Sequence, residues 1–139
     1  MKLILLLIGF SAISFEAQTK SDPFDSGRCY IKSERGGCLH QDRAKLDVSH
    51  HSVYTLYACE EHPNLRFSLQ ESKTKKGFYF IRAKHSKMCV HQWGATNRDG
   101  DLISQWYCSE GYLNVLWKPV LARMGGHYRL VAAHSGKCL

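Results

Sequence analysis

The chain has 139 residues, 44% of them hydrophobic and 22% charged, and carries a formal charge of +7. That length holds one domain, and no stretch approaches the ~20 apolar residues that a membrane-spanning helix needs. The basic balance points either to anionic partners, such as sulfated or sialylated glycans or a membrane surface, or to ordinary solubility charge.

The first residues read as a secretory signal peptide rather than as part of the domain. Met1-Lys2 is a short basic start, residues 3–10 form an apolar run broken by Gly9, and small residues follow at Ser11, Ala12 and Ser14. This layout predicts a leader over residues 1–17, cut after Ser14 or Ala17. Residues 18–26 then form a linker, and the product is expected to be secreted and extracellular. Export places Cys29, Cys38, Cys59, Cys89, Cys108 and Cys138 in an oxidising compartment, where six cysteines pair in about 15 ways.

From residue 27 the chain repeats itself. Residues 77–89 read GFYFIRAKHSKMC, residues 126–138 read GHYRLVAAHSGKC, and residues 27–38 carry the same phrase, GRCYIKSERGGC, one residue shorter. Ile31, Ile81 and Leu130 fall in register. After the cysteine, Cys59 matches Cys108, Asn64 matches Asn114, and Phe67 matches Trp117. The copies run over 27–76, 77–125 and 126–139, the last being partial. In the second copy, strands are predicted at about 78–82, 88–92, 102–108 and 113–118, separated by Gly, Asn and Asp clusters such as GATNRDGD. No segment of ten residues or more keeps a 3.6-residue period, so no helix is predicted in the mature chain. Short, evenly spaced strands point to an all-β barrel or sandwich.

These residues resemble the ricin-B type (R-type) lectin repeat. Its pattern is carried by Y-x-I-x-x-x-x-S-x-x-C-[LV], then W-x-C, then a tryptophan about ten residues later, and the resemblance covers residues 27–139. The family's Gln-x-Trp signature is altered to Val115-Leu116-Trp117 and Leu65-Arg66-Phe67, which keep the ring and lose the glutamine. The resemblance implies a β-trefoil whose third repeat is truncated, with Trp117 and Phe67 as core rings. It also implies one disulfide inside each complete repeat, Cys38–Cys59 and Cys89–Cys108. Cys138 would pair within the part of the third copy that is not present, whereas a Cys29–Cys138 bridge would make the count even. A truncated third copy is read first as a fragment or shortened reading frame. Completion by another chain and a looser fold of two lobes plus a strand are the other readings.

The resemblance also places a sugar site. Its stacking aromatic falls on Trp106 and Tyr57, and its asparagine on Asn114 and Asn64. Where the family has an aspartate, this chain has His91 and His40, each followed by glutamine. Neutral histidine offers one acceptor where a carboxylate offers several, which weakens the galactose preference that the resemblance implies. Gln92 or Asp42 is the substitute acceptor at a shifted position. Each aromatic also has a plainer reading as a half-buried strand residue, each asparagine as a turn residue, and His91 as an exposed strand residue.

The expected function is a secreted lectin-like module that binds glycans or glycoproteins, anionic ones included. The alternative is a protein- or heparin-binding trefoil without a sugar pocket. No cofactor is expected, and no C-x-x-C or H-x-x-x-H spacing supports zinc. No nucleophile elbow or H-E-x-x-H motif suggests an enzyme. Export and disulfides argue against nucleic acid.

Overall fold

The computed structural model describes residues 30–33, 35–41, 52–122 and 127–139. The expected leader and linker, Cys29 and Asp42 lie outside the described residues. In chain order the elements are β1 (Cys38–Gln41), β2 (Tyr54–Tyr57), a 3-10 turn η1 (Pro63–Leu65), β3 (Phe67–Glu71), β4 (Tyr79–Ala83), β5 (Cys89–Gln92), η2 (Trp93–Ala95), β6 (Ile103–Trp106), η3 (Leu113–Val115), β7 (Leu116–Leu121) and β8 (Tyr128–Ala132). The described residues contain strands and single 3-10 turns and no α-helix, as the missing helical period predicts.

All pairings are antiparallel. β1 pairs with β2 in a two-stranded sheet, and β6-β5-β4-β7-β8 form a second sheet in which β3 also pairs with β4. The β1–β2 and β5–β6 hairpins correspond residue for residue. Cys38 faces Tyr57 and His40 faces Thr55, just as Cys89 faces Trp106 and His91 faces Ser104. A bridge between Val53 and Ser104 and a bond from Gln105 N–H to Ser52 O (3.1 Å) join the two hairpins.

One sequence expectation is corrected. The fourth strand of the second copy does not begin at residue 113, because residues 113–115 form the turn η3 and the strand starts at Leu116. Asn114, Val115, Leu116 and Trp117 are all buried. The turn seats Asn114 where its side chain reaches the Gln92 carbonyl, and the strand then carries Leu116 into one buried cluster and Trp117 into another. η1 does the same ahead of Phe67, with Pro63 in its first position supplying a preset φ.

The main core holds Leu39, Tyr54, Phe67, Ile81, Ala83, Val90, Trp117 and Ala132, drawing on all three copies. Phe67 and Trp117 are fully buried, as expected of core rings. Trp117 also donates its indole N–H to the Val90 carbonyl at 2.9 Å. A second cluster of Phe80, Cys89, Val115 and Leu116 lies on the other face of β5.

The repeated phrase acquires a structural reason at its turn. Two residues before the cysteine, the backbone is left-handed in every copy: Gly36 (φ 88°), Lys87 (φ 61°) and Gly136 (φ 70°). There the N–H of Lys87 bonds to Ala83 O and that of Gly136 to Ala132 O, each at 2.9 Å. The Ser86 and Ser135 hydroxyls each accept the N–H two residues on, at 3.3 Å. A side chain in this region costs about 1–2 kcal/mol, against roughly 0.5–1 kcal/mol for the extra freedom of an unfolded glycine. Lys87→Gly is therefore expected to stabilise the fold by about 0.5–1 kcal/mol, read as a higher midpoint in urea unfolding at an unchanged slope.

A carboxylate ties the two long loops of the second sheet together. Glu110 accepts bonds from the Ser72 hydroxyl (2.5 Å), the Lys73 N–H (2.8 Å) and the Thr74 hydroxyl (2.8 Å). The Ser72 hydroxyl first, and then the Lys73 N–H, hold the Glu110 carboxyl below the usual glutamate range. Because the folded value is depressed, this contribution is complete above the unfolded value of 4.5 and fades as pH falls through the folded one. Glu110→Gln should lower Tm at neutral pH. The gap to wild type should then close as pH drops below about 4.5, as followed by thermal scans from pH 7 to pH 2.5.

Candidate functional site

Period-2 alternation sorts each hairpin into two faces. In β5–β6 the inner face carries Val90, Gln92, Ile103 and Gln105, and Val90 and Ile103 join the main core. The other face carries Cys89, His91, Ser104 and Trp106. In β1–β2 the same outer positions are Cys38, His40, Thr55 and Tyr57. Four of the predicted site residues, His40, Tyr57, His91 and Trp106, therefore come together as two matching pairs.

In the second copy, His91 Nδ1 lies 2.9 Å from the Ser104 hydroxyl. The imidazole stacks on Trp106 with centroids 5.9 Å apart and planes at 29°. His91 is only 6% exposed, and Trp106 is half-buried against the second cluster. Tyr107 stands edge-on to Trp106 at 5.4 Å. The first copy is more open. The His40 ring lies 5.1 Å from that of Tyr57, and Tyr57 is 56% exposed. A disulfide stands beneath each pair: Cys38–Cys59 and Cys89–Cys108 are both formed, with Cα–Cα distances of 5.1 and 5.2 Å. Cys138 carries an exposed free thiol.

The asparagines and the glutamine occupy a different layer. Asn114 donates its side-chain N–H to Gln92 O at 3.0 Å, and Asn64 donates to Gln41 O at 3.3 Å. Both are buried, and each ties its 3-10 turn to the strand that bears the histidine. Gln92 points inward, donating to Thr96 O (2.9 Å) and Asp101 Oδ2 (2.8 Å) and accepting from the Ser135 hydroxyl (3.4 Å). Asp101 also accepts from the Thr96 hydroxyl. Bonds from Thr96 and then Gln92 hold its carboxyl below the usual aspartate range. The three amides thus shape the hairpins from within; on the opposite face Thr55 and Tyr57 are exposed and His40 and Trp106 half-buried, while His91 and Ser104 are buried.

The sequence reading passed over three residues beside these pairs. Ser104 and Thr55 place a hydroxyl opposite the histidine in both copies. Their signal was the constant spacing of two residues before the aromatic, which strand alternation sets on one face. Trp93 follows directly after β5 and is 43% exposed. Its signal was a large ring leading a glycine-rich turn.

Aromatic faces beside a hydroxyl and an imidazole suit a ligand with both C–H faces and hydroxyls. Among the described residues no three metal-ligating side chains gather, and no helix is long and apolar enough to cross a membrane. With fold and surface in place, the class of protein follows. A family model described as "Ricin-type beta-trefoil lectin domain-like" matches residues 63–139, more than half of the chain, and the chain belongs to this family.

Solved structures agree on the β-trefoil. The designed threefold-symmetric protein ThreeFoil superposes with a TM-score of 0.68 at 27% identity, over 78% of this chain and 74% of that one. An exo-β-1,3-galactanase from Clostridium thermocellum superposes with a TM-score of 0.68 at 21% identity, over 81% of this chain. The hemolytic lectin CEL-III gives 0.61 at 19% identity, again over 81% of this chain. The matched region spans 23% of each of these last two chains, so they share the fold of one part. No curated protein matches the chain in sequence.

Proposed function

We propose that the chain is an exported, non-enzymatic glycan-binding module with two weak sites, one on each corresponding hairpin. The observation that carries this reading is the set of histidine, hydroxyl and aromatic ring repeated on the corresponding faces of β1–β2 and β5–β6, with Tyr57 and Trp106 reaching solvent. A sugar ring would stack its C–H side on Tyr57 or Trp106, with the accessible His40 and Thr55 meeting its polar edge at the first copy. The open Tyr57 face would take the larger share, and both together would give useful strength on a multivalent surface.

The test is a glycan array with wild type, Tyr57→Ala, Trp106→Ala and the double variant. Each single change is expected to cost about tenfold in surface binding, the scale of removing one stacking ring from a multivalent display. The double variant should lose binding altogether. Unchanged binding by the double variant would remove both rings from the account. Repeating the array from pH 8 to pH 5 assigns the ligand's charge. Protonated imidazoles cannot accept a hydrogen bond, so neutral glycans should be released on acidification and anionic ones held more tightly.

One observation favours the alternative, a surface for sulfated polymers or acidic proteins without a sugar pocket. Lys75 and Lys118 lie 4.9 and 5.8 Å from the Phe78 ring centroid, beside exposed Lys73 and Lys76. On that reading, binding would fall steeply with salt. Neutralising Lys73, Lys75 and Lys76 would abolish it, and the Tyr57 and Trp106 substitutions would leave it intact.

A further inference from the structure

The face of the β5–β6 hairpin that carries His91 and Trp106 continues past the end of β5. Gln92 points inward, so strand alternation places the next side chain, Trp93, on the face of His91. The Trp93 N–H bonds to Leu102 O at 2.9 Å, which carries the ladder one step beyond the pair of Gln92 and Ile103. Trp106 stands level with Cys89 at the other end of the hairpin. From that level to Trp93 the strand rises by about 13 Å. Both ends of the row reach solvent, Trp93 as an exposed ring and Trp106 as a half-buried one, while His91 and Ser104 lie buried between them.

The peptide that bears Trp93 is held at both of its polar groups. Its carbonyl, from Gln92, accepts the Asn114 side-chain N–H at 3.0 Å, and its N–H goes to Leu102 O. The loop that follows is fastened as well, because the Gln92 amide donates to Thr96 O and to Asp101, and η2 packs against η3. A ring on so fixed a support gives up little freedom when a ligand settles on it. The first copy is built differently here. Aligned on the matched cysteines and asparagines, Trp93 corresponds to Asp42, Tyr107 to Ala58 and Tyr112 to His62. Trp93, Tyr107 and Tyr112 are all exposed. A single exposed ring is ordinary, but several added around one of two otherwise matched hairpins mark a contact surface.

We infer that Trp93 is a second stacking platform, and that the second copy takes an oligosaccharide with one sugar unit on Trp106 and a later unit on Trp93. The inference rests on the reading of Trp106 as a sugar-stacking ring. One sugar ring does not reach both indoles across that rise, so contact with Trp93 requires chain length. The two copies then differ in task. The first, with aspartate at the matching position, binds a single unit, and the second favours longer chains.

The test uses the Tyr57→Ala protein, so that only the second copy reports. The probes are β-linked chains of one to four units, in separate series of galactose, glucose, mannose and N-acetylglucosamine. In any series that binds, affinity should rise about tenfold or more from the single unit to the longest chain, equal to about 1.4 kcal/mol or more. The chain's three tryptophans give three indole N–H signals by NMR. That of Trp106 should move with every bound length, that of Trp93 only with the longer chains, and that of buried Trp117 with none. Trp93→Asp, which installs the first copy's residue at an exposed position, should leave single-unit affinity as it was and remove the gain with length. Trp93→Phe keeps a stacking face and should retain most of that gain. Thermal scans establish that both variants fold. If Trp106→Ala abolishes binding while Trp93→Asp keeps the dependence on length, the inference falls alone. If Trp106→Ala and Trp93→Asp both leave binding unchanged, or no series binds, the reading of Trp106 falls and takes the inference with it. Movement of the Trp93 signal with protein concentration, without sugar, would assign that ring to contact between copies of the chain and overturn the inference too.

Discussion

Replacing Trp117 by alanine is expected to destabilise the protein by about 3–5 kcal/mol, the range for deleting a large buried ring. Only 1% of Trp117 is exposed, and it packs in a core with Leu39 and Tyr54 of the first copy, Ile81 and Val90 of the second and Ala132 of the third. Its loss opens a cavity where all three copies meet. It also strands the Val90 carbonyl, which accepts the indole N–H at 2.9 Å. Both effects have the same sign. A domain of this size has about 5–15 kcal/mol of total stability, so the variant should unfold at low urea. Trp117→Phe separates the two terms. It keeps most of the apolar volume and leaves the carbonyl unsatisfied, at a cost of about 1–3 kcal/mol. A loss below about 1 kcal/mol for Trp117→Ala, well under the range for such a deletion, would contradict the assignment of this ring to the core.

The second large effect belongs to the Cys89–Cys108 bridge. It joins residues 19 apart in sequence, and closing a loop of about that length contributes on the order of 3 kcal/mol. Cys89→Ser with Cys108→Ser should lower Tm by roughly 12–24 °C, taking 4–8 °C per kcal/mol for a domain near 100 residues. The effect should reach the binding surface as well. Cys89 pairs across the hairpin with Trp106 and lies in the cluster against which that ring packs. Loss of the bridge should therefore weaken glycan binding at the second copy more than at the first, whose Cys38–Cys59 bridge is intact. Thermal scans under oxidising and reducing conditions and a disulfide map check this. Links between copies in place of the two local ones would undo the repeat correspondence.

Much of this was legible because it depends on spacing. The cysteines, the ring two residues before the second cysteine, and the later Phe67 or Trp117 recur at near-constant intervals, so hairpins, bridges and core rings could be read in order. Strand alternation then sets His91 and Trp106 on one face without reference to the rest of the fold. What escaped depends on contacts distant in sequence. Residues 113–118 read as an apolar strand, and nothing local shows that the stretch begins with a turn. The commitment of Asn114 to Gln92 O spans 22 residues, and nothing local distinguishes it from an asparagine facing a ligand. The inward direction of Gln92 is fixed by Thr96 and Asp101 across a loop. The left-handed backbone at Lys87 was hidden because lysine gives no hint of it, although Gly36 and Gly136 at the matching positions do.

The central claim is that two corresponding hairpins bind sugar through their outward rings. It is tested most directly by NMR titration of the labelled protein with the best glycan from the array. The account predicts saturable shifts at His40, Thr55 and Tyr57 and, in parallel, at His91, Ser104 and Trp106, with the core signals of Phe67 and Trp117 little changed. Shifts confined to residues 73–76 and Lys118, or no shift at either hairpin face at saturating glycan, would contradict it.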